Sequence, residues 1–318
     1  MVVIGMVRDS EKDIIATLQQ LDEVSCIFKK IVFIFYESNS KDNTPYVLED
    51  WNEMYLDGKH CDHFRYNPLS NASITMSKDE KALIDSHRPI LVKKIVFHDF
   101  VDVRGKNRIV RFIIFRNMLL EKIRSVTSEL GMTGFDYVMM IDLDIREFDA
   151  KSLFRDLSDS PYSIICSNGL FKLEIMRDTF ASIMTNGTWL YTYHSLYDHH
   201  FKDLLYWPYD RYQPMNSCFG GLAIYKDTKA LLDSKCEYEI LEDLKSEWEY
   251  AEVYKNKTGK ERAWPSQRSW FLESKYREPL IELVTMFYNA NLKVGKERRK
   301  ICEHLAYHYC LRANGYDL

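Results

Sequence analysis

"IVFIFYESNSKDNT", residues 31–44, is the stretch on which the fold turns. A run of β-prone apolar residues from Ile31 to Tyr36 stops abruptly at Glu37, Asn39, Asp42 and Asn43. A strand that is apolar throughout suits a parallel sheet covered on both faces. An Asn/Asp/Ser turn follows strands in any α/β protein. A nucleotide pocket also forms at the carboxyl ends of parallel strands. The rest of the sequence has to separate these two readings. Upstream, residues 2–6 read as a first strand, and Ser10 starts a helix with Asp13 three residues on as a capping box. Ile14, Leu18 and Leu21 recur at helical spacing on its inner face. Downstream, Thr44-Pro45 opens another helix, with Pro in the first turn. Strand, helix, strand, helix predicts a parallel sheet with right-handed crossovers.

The bulk properties exclude several classes. The chain has 318 residues, 46% hydrophobic and 28% charged, an ordinary globular composition. Lys+Arg is 43 against Asp+Glu 47, a net charge of −4, which argues against nucleic-acid binding by bulk charge. No run of about 18 apolar residues exists, so no membrane span is expected. The opening "MVVIGMVRDSEKD" reads as strand and turn rather than signal peptide, so a cytoplasmic location is the expectation. The seven cysteines (26, 61, 166, 218, 236, 302 and 310) form no CxxC pair, and reduced thiols are the expectation. The sequons at Asn71, Asn186 and Asn256 then read as chance matches.

Residues from about 56 to 106 break the rhythm and read as an insertion carrying one extra strand, "ILVKKIVF". Residues 107–130 are helical and end before Gly131. "FDYVMMIDLDIREFDA" is a strand ending on acids, and "YSIICSN" is another strand. Residues 170–220 are aromatic and irregular, as a substrate-binding region would be, and "FGGLAIYK" turns into a strand. Residues 235–300 carry charged helical stretches, and the tail "CEHLAYHYCLRANGYDL" enters a last helix with Gly315 near its end.

"MMIDLD" carries the chemistry. Alternate side chains of an extended chain share a face, so Asp142 and Asp144 would point one way and Leu143 into the protein. Two neighbouring carboxylates repel unless a cation sits beside them. A hard ion such as Mn²⁺ or Mg²⁺ accepts oxygen ligands and also bridges a diphosphate. A solvated acidic turn is the plainer alternative. Gly220 and Gly221 would let backbone approach a ligand closely or form a β-bulge. Trp189, Tyr193, Trp207 and Tyr209 suit stacking on a ligand or core packing, and the resemblance described next makes that ligand an acceptor sugar.

Taken in order, "GMVRDSEKDIIATLQQL", "FYESNSKDNTPYVLEDW", "RFIIFRNMLLEKI", "FDYVMMIDLDI", "SNG", "YD", "FGGLAIYK" and "CEHLAYH" resemble a GT-A fold glycosyltransferase. The pattern is similar to the capsule-associated α-1,3-mannosyltransferase family and its relatives in microbes and large DNA viruses. The long charged segment between Lys226 and Cys302 departs from that pattern. The resemblance implies an α/β, Rossmann-like GT-A fold. Its mixed, mostly parallel sheet would be flanked by helices, with a helical insertion at about 235–300 before the C-terminal motif. It implies one domain over 1–318, with a nucleotide-sugar-binding half (1–150) and an acceptor-binding half (151–318). It also implies a donor site. Glu37 would hydrogen-bond the base or ribose of a GDP- or UDP-linked sugar, and Asn39 and Asp42 would shape the same turn. Arg8, Arg116 and Asn117 would approach the donor.

The resemblance further implies a metal held by Asp142, Asp144 and a late histidine. His304 and His308 share a helix face, and His304 is preferred for its place in "CEH". Inverting chemistry would need a carboxylate base beside the acceptor hydroxyl, with Glu303 and Asp198 as competitors. Retention would need none, and the fold hosts both outcomes. A glycan or glycoconjugate is the implied acceptor. The rivals are a sugar nucleotidyltransferase and a non-catalytic carbohydrate-binding scaffold. "GMVRDSEKD" lacks the Gly-rich basic loop of the former, and intact acids speak against the latter.

Overall fold

The computed structural model describes residues 1–54, 61, 91–98, 101, 103, 105–145, 148, 157, 160–167, 170–171, 175–176, 183–184, 215–226, 228, 232, 235–261, 264, 266–293 and 301–316. The first elements in chain order are β1 (Val2–Val7), α1 (Glu11–Ser25), β2 (Lys30–Glu37), α2 (Thr44–Glu53), β3 (Leu91–Phe97), α3 (Arg108–Glu129) and β4 (Tyr137–Asp142). Then come β5 (Ile164–Cys166), the short ladders β6 (Leu170–Phe171) with β7 (Ile175–Met176) and β8 (Ile183–Met184) with β9 (Met215–Ser217), and β10 (Leu222–Lys226). The chain ends with α4 (Leu241–Thr258), a 3-10 helix (Ser266–Leu272), α5 (Ser274–Lys293) and α6 (His304–Ala313). The fold is α/β, with a mixed, mostly parallel six-stranded sheet flanked by helices, as expected.

The chain divides into two compact units, Met1–Val101 with Ser125–Asp159, and Asp102–Arg124 with Ser160–Leu318. The first holds four parallel strands in the order β3-β2-β1-β4. β2 is buried from Ile31 to Glu37, which is why its sequence does not alternate. α1 covers the sheet with Ile14, Leu18, Leu21 and Val24 buried. In the second unit β5 pairs antiparallel with β10. There α6 is buried along Leu305–Leu311, so every polar group it carries must find a partner inside. The charged stretch 235–300 does form α4, the 3-10 helix and α5.

Three local expectations change. Ser10 does not build a capping box: its hydroxyl donates to the Arg8 carbonyl, and the Asp42 carboxylate accepts the Glu11 N–H at 3.0 Å instead. The chain is not extended through Asp144. Asp142 ends β4, and its carbonyl accepts the Ile145 N–H at 3.2 Å, so Leu143 and Asp144 are the middle of a tight turn. Leu143 is buried, as expected, and Asp144 is exposed. The cysteines are not reduced. Cys26–Cys61, Cys166–Cys218 and Cys236–Cys310 are disulfides with Cα separations of 5.4, 6.0 and 5.8 Å. The partners are 35, 52 and 74 residues apart, so the fold brings them within bridging reach although no short spacing announces it. Cys302 lies outside these bridges and is buried. Among the described residues no helix is long and apolar enough to cross a membrane.

Gly5 shows how tightly β1 and β4 meet. It pairs with Ile141, and a Cβ there would lie 2.9 Å from the Ile141 carbonyl oxygen and 2.9 Å from Leu143 Cγ. Backbone cannot yield as a flexible side chain can. Gly5→Ala is therefore expected to lower unfolding stability by about 1–3 kcal/mol, read as a fall in urea midpoint. An unchanged midpoint would show that β4 moves aside freely.

Candidate functional site

In the first unit the strand register lines up the carboxyl ends. Val7 is level with Glu37, Met6 with Tyr36 and Asp142, and Tyr36 with Phe97, so His98, Glu37, Arg8 and the Asp142–Asp144 turn follow one another along one edge. β1 lies between β2 and β4, so the order of connection reverses there. Open α/β sheets bind ligands at such a reversal, outside the carboxyl ends of the strands.

The two loops on this edge are braced by side chains. One Asp42 oxygen takes the Glu11 N–H and the other the Thr44 N–H, both at 3.0 Å. The Thr44 hydroxyl takes the Ser10 N–H at 2.8 Å, and Asp9 takes the Lys41 N–H at 2.6 Å. Ser40 takes the Asp9 N–H at 2.9 Å. Asp9 and Asn39 sit at φ 50° and 52°, left-handed conformations that the bracing holds in place. Burial opposes the charge on Asp42, but the bonds it accepts from Thr44 and the Glu11 and Thr44 N–H groups outweigh it and hold its pKa below the ordinary value.

Glu37 is only 5% exposed. Its carboxylate accepts the Asn39 N–H at 3.2 Å and the Ser40 N–H at 2.7 Å, and pairs with His98 Nδ1 at 3.0 Å. The His98 side chain is 54% exposed, so it is the ring and not the carboxylate that faces outward. His98 was not singled out in the sequence; its only signal is its place directly after β3. Arg8 is exposed beside Asp9, and Asn39 is exposed.

The second unit gathers the other candidates. Arg116, on α3, and Glu303, just before α6, form a buried ion pair with Nε to Oε1 at 3.0 Å, at 4% and 2% side-chain exposure. The guanidinium lies over Phe219 at 4.8 Å and Tyr238 at 5.6 Å. Cys302 Sγ donates to Glu303 Oε2 at 3.7 Å. Asn117 locks onto the Tyr238 backbone at two points: its Nδ2 donates to the carbonyl at 3.0 Å and its Oδ1 accepts the N–H at 2.8 Å. Gly221, at φ 90°, and Gly220 lead into β10, and the Gly220 carbonyl accepts the Ser167 hydroxyl at 3.2 Å. Asp198, Trp189, Tyr193, Trp207 and Tyr209 lie outside the described residues.

The two histidines of α6 differ. His308 is fully used. Its Nδ1 accepts the Cys218 N–H at 3.4 Å and faces the Ser217 hydroxyl at 3.1 Å, which leaves Nε2 to donate to the Tyr225 hydroxyl at 3.1 Å. Burial, and then the nearby Arg116, push its pKa down to about 3. His304 stacks on Phe219 with centroids 4.0 Å apart; among the described residues neither nitrogen has a hydrogen-bond partner, and Nε2 lies 3.9 Å from Glu303 Oε1. Burial first, then Arg116 and His308, hold its pKa well below the ordinary value.

Asp142, half-buried at the end of β4, and exposed Asp144 offer two carboxylates on one turn, which suits a hard cation that keeps water and phosphate ligands. His304 does not suit it, being buried under rings beside a guanidinium. Among the described residues no three His, Cys, Asp or Glu side chains gather around one point.

No family model matches the chain, and no curated protein does. The likeness to capsule-associated mannosyltransferases therefore rests on the motifs alone. The chain is similar to solved structures of S. aureus TarS, at 13% identity over 75% of this chain in each case. The fragment 1–349 gives a TM-score of 0.35 and has 50% of its length covered. The same fragment in complex with UDP-GlcNAc gives 0.36 and 48%, and TarS itself 0.35 and 30%. The chain thus spans half or less of those chains, and a likeness this distant assigns nothing.

Two outcomes follow. Removing one partner of a buried ion pair strands a charge, so Arg116→Met is expected to lose about 3–5 kcal/mol of stability. Adding Glu303→Leu should restore part of it in a double-mutant cycle on urea unfolding, and simple additivity would deny the pairing. The second concerns acid. His308 titrates near 3 when folded, below the ordinary 6.5 of an exposed chain, so the unfolded state takes the proton first. Stability is complete above about pH 6.5 and falls as pH drops toward 3, with a slope of up to about 1.4 kcal/mol per pH unit for each such histidine. Urea midpoints from pH 7 to 4 should show that slope in the wild type and a flatter one in His308→Gln.

Proposed function

We propose that the chain is a metal-dependent glycosyltransferase that moves a sugar from a nucleoside-diphosphate sugar to a glycan acceptor. The observation that carries the reading is the edge at the β1 reversal. There His98, Glu37, Arg8 and the Asp142–Asp144 turn meet at the carboxyl ends of parallel strands. Asp142 and Asp144 are the residues that would hold Mn²⁺ or Mg²⁺. The bound ion supplies charge for the diphosphate leaving group.

The chain's own groups divide the remaining work. Glu37 fixes the turn at Asn39 and Ser40 and orients His98, whose ring is exposed and would meet the nucleoside. Arg8 adds the exposed positive charge that follows β1. Asp42 keeps both loops in register. Inverting transfer needs a carboxylate beside the acceptor hydroxyl. The burial of Glu303 against Arg116 favours Asp198 for that role. A sugar nucleotidyltransferase would cradle phosphate on a Gly-rich loop after β1. Here that loop is Arg8–Ser10, and its helix start is occupied by Asp42.

Calorimetry with UDP and GDP, with and without Mn²⁺, tests this directly. One nucleotide should bind, and Mn²⁺ should tighten it. Asp144→Ala should remove the metal-dependent part of the affinity and slow transfer by about 10²–10³, with the urea midpoint unchanged. Neither nucleotide binding, or Asp144→Ala turning over at the wild-type rate, would overturn the reading. Metal-dependent binding without any transfer would favour the non-catalytic scaffold.

A further inference from the structure

We propose that the two disulfides of the second unit, Cys166–Cys218 and Cys236–Cys310, are a redox-sensitive clamp on the buried cluster of Arg116, Glu303 and His304. Each bridge ends beside one aromatic wall of that cluster. Cys218 adjoins Phe219, whose ring stacks on His304 at 4.0 Å and lies 4.8 Å from the Arg116 guanidinium. Cys236 lies two residues before Tyr238, whose ring is 5.4 Å from His304 and 5.6 Å from the guanidinium. Its partner Cys310 belongs to α6, the helix that carries His304 and His308. The ties continue in hydrogen bonds: the Cys218 N–H donates to His308 Nδ1, and the Asn314 amide reaches Cys236 Sγ at 3.5 Å.

The chemistry is a two-electron exchange. A dithiol reductant gives two electrons and two protons to a bridge, the S–S bond breaks into two thiols, and the dithiol closes to its own disulfide. Phe219 and Tyr238 then lose their covalent ties to β5 and α6. A buried ion pair is costly to keep out of water unless its surroundings stay packed. Release of the walls wets the cluster and frees α6 locally. The packed form of the cluster thus belongs to the oxidised chain. Cys302 is the built-in reporter, buried and with its thiol on Glu303.

Thiol alkylation read peptide by peptide in a mass spectrometer tests the clamp in the full chain. Unfolded without reductant, the protein should label at Cys302 alone; labelling at any cysteine of the two bridges overturns the proposal. Folded, Cys302 should resist. Graded dithiothreitol should open the second-unit bridges and speed Cys302 labelling roughly tenfold or more, with near-UV dichroism falling while far-UV dichroism holds. Cys302 staying protected after both bridges open overturns the clamp, and so does loss of far-UV signal in step with reduction. Cys236→Ser/Cys310→Ser should expose Cys302 without reductant, and Cys26→Ser/Cys61→Ser should leave it protected. Should the first variant fail to fold, the dithiothreitol series on the wild type decides alone.

Discussion

The Asp42 carboxylate takes the Glu11 N–H on one oxygen and the Thr44 N–H on the other, so two helices leaving adjacent parallel strands start from one anchor. Helix starts leave orphan N–H groups that usually find a local cap. Neither Ser10 nor Asn43, the residues placed to cap these helices, does so with its side chain. The bond crosses instead between the loop after β2 and the loop after β1, and Asp9, Ser40 and Thr44 repeat the crossing. Because the loops hold each other, Asp9 and Asn39 can keep left-handed backbone that isolated loops would shed. The ordered edge that a ligand would meet is a product of this bracing.

The second unit solves a different problem. α6 is buried along Leu305–Leu311, yet it carries or adjoins Glu303, His304, Tyr307 and His308. Each buried polar group costs free energy unless it is matched. Arg116 matches Glu303, the Cys218 N–H and Tyr225 match His308, and Tyr307 stacks on Tyr238 with centroids 4.2 Å apart. Tyr225 and Tyr238 are buried, which raises both hydroxyl pKa values and keeps them neutral. His304 is the exception among the described residues: aromatic faces match its ring, and its Nε2 has Glu303 Oε1 at 3.9 Å, beyond hydrogen-bond reach.

What the sequence disclosed follows the range of the physics involved. Apolar runs at 2–6, 31–36 and 137–141 show strands because burial on both faces is written residue by residue. α1, α2 and α3 show themselves by spacing and by Pro45, and the helices at 235–300 by composition. The Asp42 cap, the His98–Glu37 pair and the Arg116–Glu303 pair join residues 31, 61 and 187 positions apart, and neither partner alone carries a local signature. The cysteines misled for the same reason, since bridges spanning 35 to 74 residues leave no spacing to read. Asp142 and Asp144 were legible as a pair because they lie two positions apart in sequence. Their shared-face geometry was misjudged because the strand ends at Asp142 and a turn begins.

The anchor also bears on the charge a donor would meet. A helix start is ordinarily a ready anion site, with free N–H groups and the positive end of the dipole. Here the first N–H of α1 is taken by the Asp42 carboxylate, and Glu11 and Asp13 add further negative charge to its first turn. The edge as a whole sets Asp9, Glu11, Glu37, Asp42, Asp142 and Asp144 against Arg8 and Lys41. A diphosphate arriving there gains nothing from the helix and is repelled by the acids. Under the proposed function, a cation beside the exposed carboxylate of Asp144 and the neighbouring Asp142 would offset that repulsion.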